Sequence, residues 1–114
     1  MIPINNLFFY LFIVKSNAKV QILALELDFI QLILKALTKF SMENKSLELC
    51  QRLIFVLSGI LRNFPLAQNH FVNKYGGVEV LSYFIENNNS IKLKTKILTL
   101  INDLIQEKVI NFNY

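Results

Sequence analysis

The sequence predicts an all-α chain of stacked helices, and three observations carry that prediction. Apolar residues make up 54% of the 114 positions, and they recur at helical spacing with no strict alternation lasting beyond a few residues. Gly, Pro and Trp number only three, two and zero, too few turn formers for a sandwich or barrel of many short strands. The strongest breaks, Pro65 and the pair Gly76 and Gly77, both fall inside the stretch 57–84, LSGILRNFPLAQNHFVNKYGGVEVLSYF. On either side of them the same order of helices recurs. The apolar content is ample for one core.

Taken in order, Leu7 to Val14 is the run LFFYLFIV, closed by Lys15. It falls short of the ~20 residues that span a bilayer. It reads as the last turns of a helix that packs on the helices after it; the alternative, a signal-like segment, lacks a basic n-region and a small-x-small cleavage site. Ser16 and Asn17 are good caps for a short helix from Ala18 to Leu27, with Val20, Leu23, Ala24 and Leu27 on one face. Asp28 is placed to cap a medium helix whose Ile30, Ile33, Leu34 and Leu37 follow the i, i+3, i+4, i+7 pattern to about Phe40. After the polar linker SMENKS, a long helix carries Leu47, Cys50, Leu53, Ile54, Leu57, Ile60 and Leu61. It ends at Asn63, because Pro65 pushes Phe64 out of the α region and starts a new helix itself.

Pro65 to Lys74 is a second short helix with Ala67, Phe71 and Val72 as its apolar positions. Gly76 and Gly77 supply positive φ for a tight corner. Val78 to Glu86 is a second medium helix burying Val80, Leu81, Phe84 and Ile85. The linker NNNS leads to a second long helix from Ile91, burying Ile97, Leu98, Leu100, Ile101, Leu104 and Ile105 and fading beyond Lys108.

Leu53 falls on Ile97, Leu57 on Ile101 and Leu61 on Ile105 at an offset of 44, and Val20 falls on Ala67 at 47. Three helices per unit at this period is the armadillo or HEAT signature, so the predicted architecture is a right-handed α-solenoid. The division is an apolar segment 1–15, a first unit 16–63, a second unit 64–108 and a tail 109–114. Each unit buries its apolar face only against a neighbour. Two units alone are therefore expected to expose apolar faces and to self-associate or be marginally stable.

The formal charge of +4 comes from scattered lysines, densest at Lys92, Lys94 and Lys96, and reads as a solvated helix face. A nucleic-acid groove would show a denser stripe with Arg and aromatic interleaving. Cys50 is a small buried hydrophobe with no disulfide partner in the chain. His70 stands beside Phe71 with no nucleophile or carboxylate arrangement around it, a structural or surface histidine. Gly76 and Gly77 lack the Lys-Ser/Thr or third glycine of a phosphate loop, and no Cys, His or carboxylate cluster suggests a metal. No cofactor and no enzymatic chemistry are expected. Two sequons, at Asn44 and Asn88, are mild pointers to N-glycosylation and a secretory route.

The runs SNAKVQ (16–21), LSGILRNFPLAQNHFVNKYGGVEVL (57–81) and ILTLINDLIQEK (97–108) resemble the armadillo-type nucleotide exchange factors of DnaK-like heat-shock chaperones. The resemblance is nearest to the endoplasmic-reticulum branch that serves the lumenal chaperone BiP. It departs at Leu27 and Asp28, where the family pattern has a glycine pair, and in length at both ends. It implies a co-chaperone of the endoplasmic-reticulum lumen that grips one lobe of BiP's nucleotide-binding domain, opens its cleft and lets ADP leave, supporting protein folding and translocation. From the residues themselves, no nucleotide, nucleic-acid or metal binding and no membrane span are expected in the factor.

In an armadillo stack the third helix of each unit lines the concave face. The core register leaves Gln51, Phe55, Ser58 and Arg62 in one row and Thr95, Thr99, Asn102 and Gln106 in the other. These are the candidate chaperone contacts, with Arg62 and Phe55 as anchors because Arg and aromatics dominate interface energetics; the plain alternative is a solvated face. The rival reading of function is a generic armadillo scaffold for an extended peptide. Such a groove would repeat an asparagine on successive third helices, and here Asn102 is matched by Ser58. A membrane-anchored segment led by Leu7 to Val14 is argued against by its length.

Overall fold

The computed structural model describes residues 18–41, 47–87 and 89–107. The segment 1–15, the caps Ser16 and Asn17, both sequon asparagines Asn44 and Asn88, and the tail 109–114 lie outside them. The elements are α1 (Ala18–Glu26), α2 (Phe29–Ser41), α3 (Leu47–Leu61), α4 (Pro65–Asn69) running into a π-helical turn (His70–Lys74), α5 (Gly77–Asn87) and α6 (Ile91–Gln106). Every element among the described residues is helical. Short, medium and long helices follow one another twice, and α2 lies against α5 while α3 lies against α6.

The centre of the packing is α3. Cys50, Leu53, Ile54, Val56, Leu57, Ile60 and Leu61 are all buried, because α1, α2, α4 and α6 each lie against it. Burial pushes the Cys50 thiol up from its ordinary pKa, so it stays a protonated hydrophobe. The α2 positions Ile30, Ile33, Leu34 and Leu37 are buried as their spacing predicts. Ala67 and Phe71 are buried too, and Leu81 and Phe84 hold the inner face of α5, with Val72, Val80 and Ile85 at its margin.

Four periodic leucines depart from expectation. Leu23, Leu27, Leu47 and Leu98 are 50%, 56%, 42% and 54% exposed, whereas Val56 and Leu93, absent from the predicted core, are buried. For Leu98 the reason shows at the offset of 44: its counterpart Ile54 is buried on α3, against which four helices pack, while Leu98 stands on α6, the last described helix. A helical period places a side chain on a face but does not say whether a neighbour lies against that face.

Among the described residues three corners use left-handed backbone, at Asp28 (φ 62°), Asn63 (φ 52°) and Gly76 (φ 61°). Asp28 therefore does not cap α2 with its side chain. Its carbonyl accepts from the Leu32 N–H at 3.2 Å, and its carboxylate accepts from the Tyr75 hydroxyl. Asn63 stands just beyond α3, and Phe64 is extended ahead of Pro65 (φ −126°, ψ 86°), as the residue before a proline should be. The two glycines prove to have different reasons. Gly76 supplies the positive φ, whereas Gly77 opens α5 in ordinary helical backbone and is small because a Cβ there would come 2.2 Å from the Phe71 ring.

The π-helical turn accounts for a change of offset. From the start of α1 to the start of α2 the chain runs from 18 to 29, but from α4 to α5 it runs from 65 to 77, one residue more. A wider turn, in which the Tyr75 N–H reaches the His70 carbonyl at 2.9 Å, absorbs the extra residue without breaking the helix.

Candidate functional site

The two long helices leave a groove between them. It holds about 270 Å³, and five of the eight predicted contact residues line it: Phe55, Ser58 and Arg62 from the α3 side, Thr95 and Thr99 from α6. An adjoining hollow of about 310 Å³ continues to the ends of both helices and takes in Gln106 along with Ser58 and Arg62. Gln51 and Asn102 line neither. Four residues outside the predicted rows also line the groove, Ile54 and Gly59 from α3 and the charged Lys96 and Asp103 from α6. The signal for the two charged residues was present, since Lys96, Thr99 and Asp103 follow i, i+3, i+7 and form one stripe; the predicted row lay one residue to its side.

Local chemistry decides what the walls present. The hydroxyls of Ser58, Thr95 and Thr99 donate to the carbonyls of Ile54, Ile91 and Thr95, at 3.0, 2.8 and 2.9 Å. Their protons are spent on their own helices, so these hydroxyls offer the groove acceptor lone pairs rather than donors. Phe55 is 41% exposed and supplies an apolar wall. The Arg62 side chain is exposed and makes no ion pair or hydrogen bond among the described residues.

The base of Arg62 is held firmly. A helix ends with unpaired carbonyls, and at the end of α3 two glutamines meet them. The Gln21 amide donates to the carbonyls of Gly59 and Arg62 at 2.9 Å each and more distantly to Ile60 at 3.3 Å. The amide of Gln68 donates to Leu61 at 2.9 Å and to the Glu107 carboxylate at 2.7 Å. Glu107 in turn accepts from the backbone N–H of Asn63 at 3.2 Å. This clamp ties α1, α3, α4 and the end of α6 at the mouth of the groove. Both glutamines lie in motifs singled out in the sequence, SNAKVQ and LRNFPLAQ, but their role needed the fold, because their acceptors lie on other helices.

The opposite corner is polar as well. Tyr75 donates to Asp28, and that hydrogen bond raises its phenol pKa from the ordinary value. The Lys74 ammonium stands 5.2 Å from the Tyr75 ring centre, and His70 meets the same ring edge-on at 6.3 Å. Among the described residues no group of three or more His, Cys, Asp or Glu side chains is placed to hold a metal. No described helix is long and apolar enough to cross a membrane.

Comparison with known proteins points in one direction. The family model described as the SIL1/FES1/HPBP1 C-terminal domain matches residues 11–113. A Xenopus laevis protein named Nucleotide exchange factor SIL1 is 35% identical over 95 residues, covering 83% of this chain and 20% of the relative. The proteins of the same name from Mus musculus and Rattus norvegicus are 35% and 34% identical over 94 residues, covering 82% of this chain and 19% of each relative. The chain thus spans about one fifth of the length of these curated relatives. No solved structure gives a significant match.

Proposed function

Since the chain belongs to the SIL1/FES1/HPBP1 C-terminal domain family, we propose that it acts as a nucleotide exchange factor, a co-chaperone that binds the nucleotide-binding domain of an Hsp70-type chaperone and promotes ADP release. The observation that carries this reading is identity of about one third, over more than four fifths of the chain, to relatives named as nucleotide exchange factors. On this reading the chaperone is BiP and the compartment the endoplasmic-reticulum lumen, with a role in folding and translocation there. Asn44 and Asn88 would be glycosylated on that route.

The proposed mechanism is binding, not covalent chemistry. A factor speeds nucleotide release only if it binds the open domain more tightly than the closed, nucleotide-filled one, each tenfold preference being worth about 1.4 kcal/mol. A rigid gripping surface serves that end because it cannot relax to fit both states equally. The pairing of α2 with α5 and of α3 with α6 supports an armadillo-like solenoid, and the clamp at the end of α3 supports a stiff one. The contact surface on this reading is the third-helix face, Gln51, Phe55, Ser58, Arg62, Thr95, Thr99, Asn102 and Gln106, with Phe55 and Arg62 as anchors.

The test is stopped-flow release of a fluorescent ADP analogue from the chaperone with and without the 114-residue chain. Faster release, reduced by Arg62→Glu while helicity and melting temperature hold, is the expected result. A folded chain that leaves the release rate unchanged overturns the proposal, and capture of extended peptides in its place would favour the scaffold reading.

A further inference from the structure

Resting on the exchange reading, we propose that the α3–α6 groove seats an acidic segment of the chaperone's nucleotide-binding domain, a carboxylate lying between Arg62 and Lys96 with an apolar neighbour against Phe55. Arg62 and Lys96 reach the groove from opposite walls, and neither side chain makes an ion pair or hydrogen bond among the described residues. The contrast with Arg52 is direct, since that guanidinium, lower on α3, is held by Glu48 at 2.7 Å.

The placement of charge on α6 points the same way. Lys92, Lys94 and Lys96 occupy its first two turns, and Asp103 stands in its last turn with Glu107 just past its end. A helix macrodipole favours the reverse order by about 0.3–1 kcal/mol per charge. Helix stability therefore does not account for the lysines. Of the three, Lys96 is the one that lines the groove, and Lys92, four residues before it, stands on the same face of α6.

At the far end the balance shifts. The Glu107 carboxylate is occupied by Gln68 and the Asn63 N–H. That leaves Asp103 as the carboxylate in the groove with no partner among the described residues. Asp103 and Arg62 share the groove without closing to an ion pair, so the guanidinium remains available. Two unpaired cations against one anion, beside an exposed aromatic wall and on a chain of formal charge +4, favour an anionic occupant with an apolar flank.

Asp103 makes the proposal sharply testable. Binding of the isolated nucleotide-binding domain would be measured for Arg62→Glu, Lys96→Glu, Asp103→Lys and, as a net-charge control on exposed α5, Glu86→Lys. The first two are expected to weaken binding about tenfold, and Asp103→Lys to tighten it severalfold, with Glu86→Lys close to wild type. These differences should shrink near 1 M salt, where the screening length falls to about 3 Å. Weaker binding by Asp103→Lys, or no change in the two glutamate variants, overturns the groove assignment while exchange activity stands. A wild-type chain that does not bind the domain at all overturns both.

Discussion

Gln21 and Gln68 hydrogen-bond to the end of one helix. The first donates to the carbonyls of Gly59, Ile60 and Arg62, the second to that of Leu61. They occupy equivalent places on the two short helices, so the end of α3 is gripped from its own unit and from the next. Every late carbonyl of α3 from Gly59 onward has an amide partner, and the Arg62 backbone is fixed where its side chain overhangs the groove.

Replacing Gln68 by Met keeps the volume and removes the donors. Gln68 is 3% exposed, so the Leu61 carbonyl and the Glu107 carboxylate are left short of partners, at a cost of about 1–3 kcal/mol. Gln21→Met should cost less, because Gln21 is only half-buried and water replaces the lost bonds. Denaturant unfolding of the two variants beside the wild type reads the difference; equal costs would mean that the Gln68–Glu107 bond adds nothing.

Gly77 and Phe71 should be energetically coupled. A methyl at Gly77 collides with the Phe71 ring, and overpacking of this kind costs about 1–3 kcal/mol. Gly77→Ala in a Phe71→Leu background should cost distinctly less, so a double-mutant cycle will give a non-zero coupling. Gly76→Ala is destabilising for a different reason, its left-handed φ of 61°, at about 1–2 kcal/mol, and Phe71→Leu should not rescue it.

The Tyr75–Asp28 bond predicts an alkaline loss of stability. The bond holds the Tyr75 proton more tightly in the folded chain than in the unfolded one. Its contribution is complete below the ordinary tyrosine value of about 10 and is lost as pH rises through the higher folded value. Melting temperatures followed from pH 8 to about 12 should fall more steeply for the wild type than for Tyr75→Phe. Parallel curves would show that the bond is not made in solution.

Ile54 and Leu98, equivalent in sequence, should respond very differently to truncation. Ile54→Ala opens a cavity where the side chain is 2% exposed and should cost about 2–5 kcal/mol. Leu98→Ala removes a side chain that is 54% exposed and should change stability by no more than about 0.5 kcal/mol. A large cost at Leu98 would mean that this face is covered in solution, as it would be if copies of the chain associate there.

By itself the sequence determined the helices, their order and most of the core. The reasons are local: Pro65 has no N–H and restrains Phe64, Gly76 tolerates positive φ, and the apolar spacing of α2 and α3 leaves one consistent inward face. Tertiary structure alone decided which periodic residues found a neighbour. Ile54 and Leu98 carry the same local signal, but Ile54 stands on the helix that four others pack against and Leu98 on the last described one, and that separates core from surface. It also decided that Asp28 turns its carboxylate to Tyr75, that Gly77 yields space to Phe71, and that Lys96 and Asp103 share a groove with Arg62. Each of these is a meeting of residues distant along the helical or loop surface, set by how the helices pack rather than by any propensity along the chain.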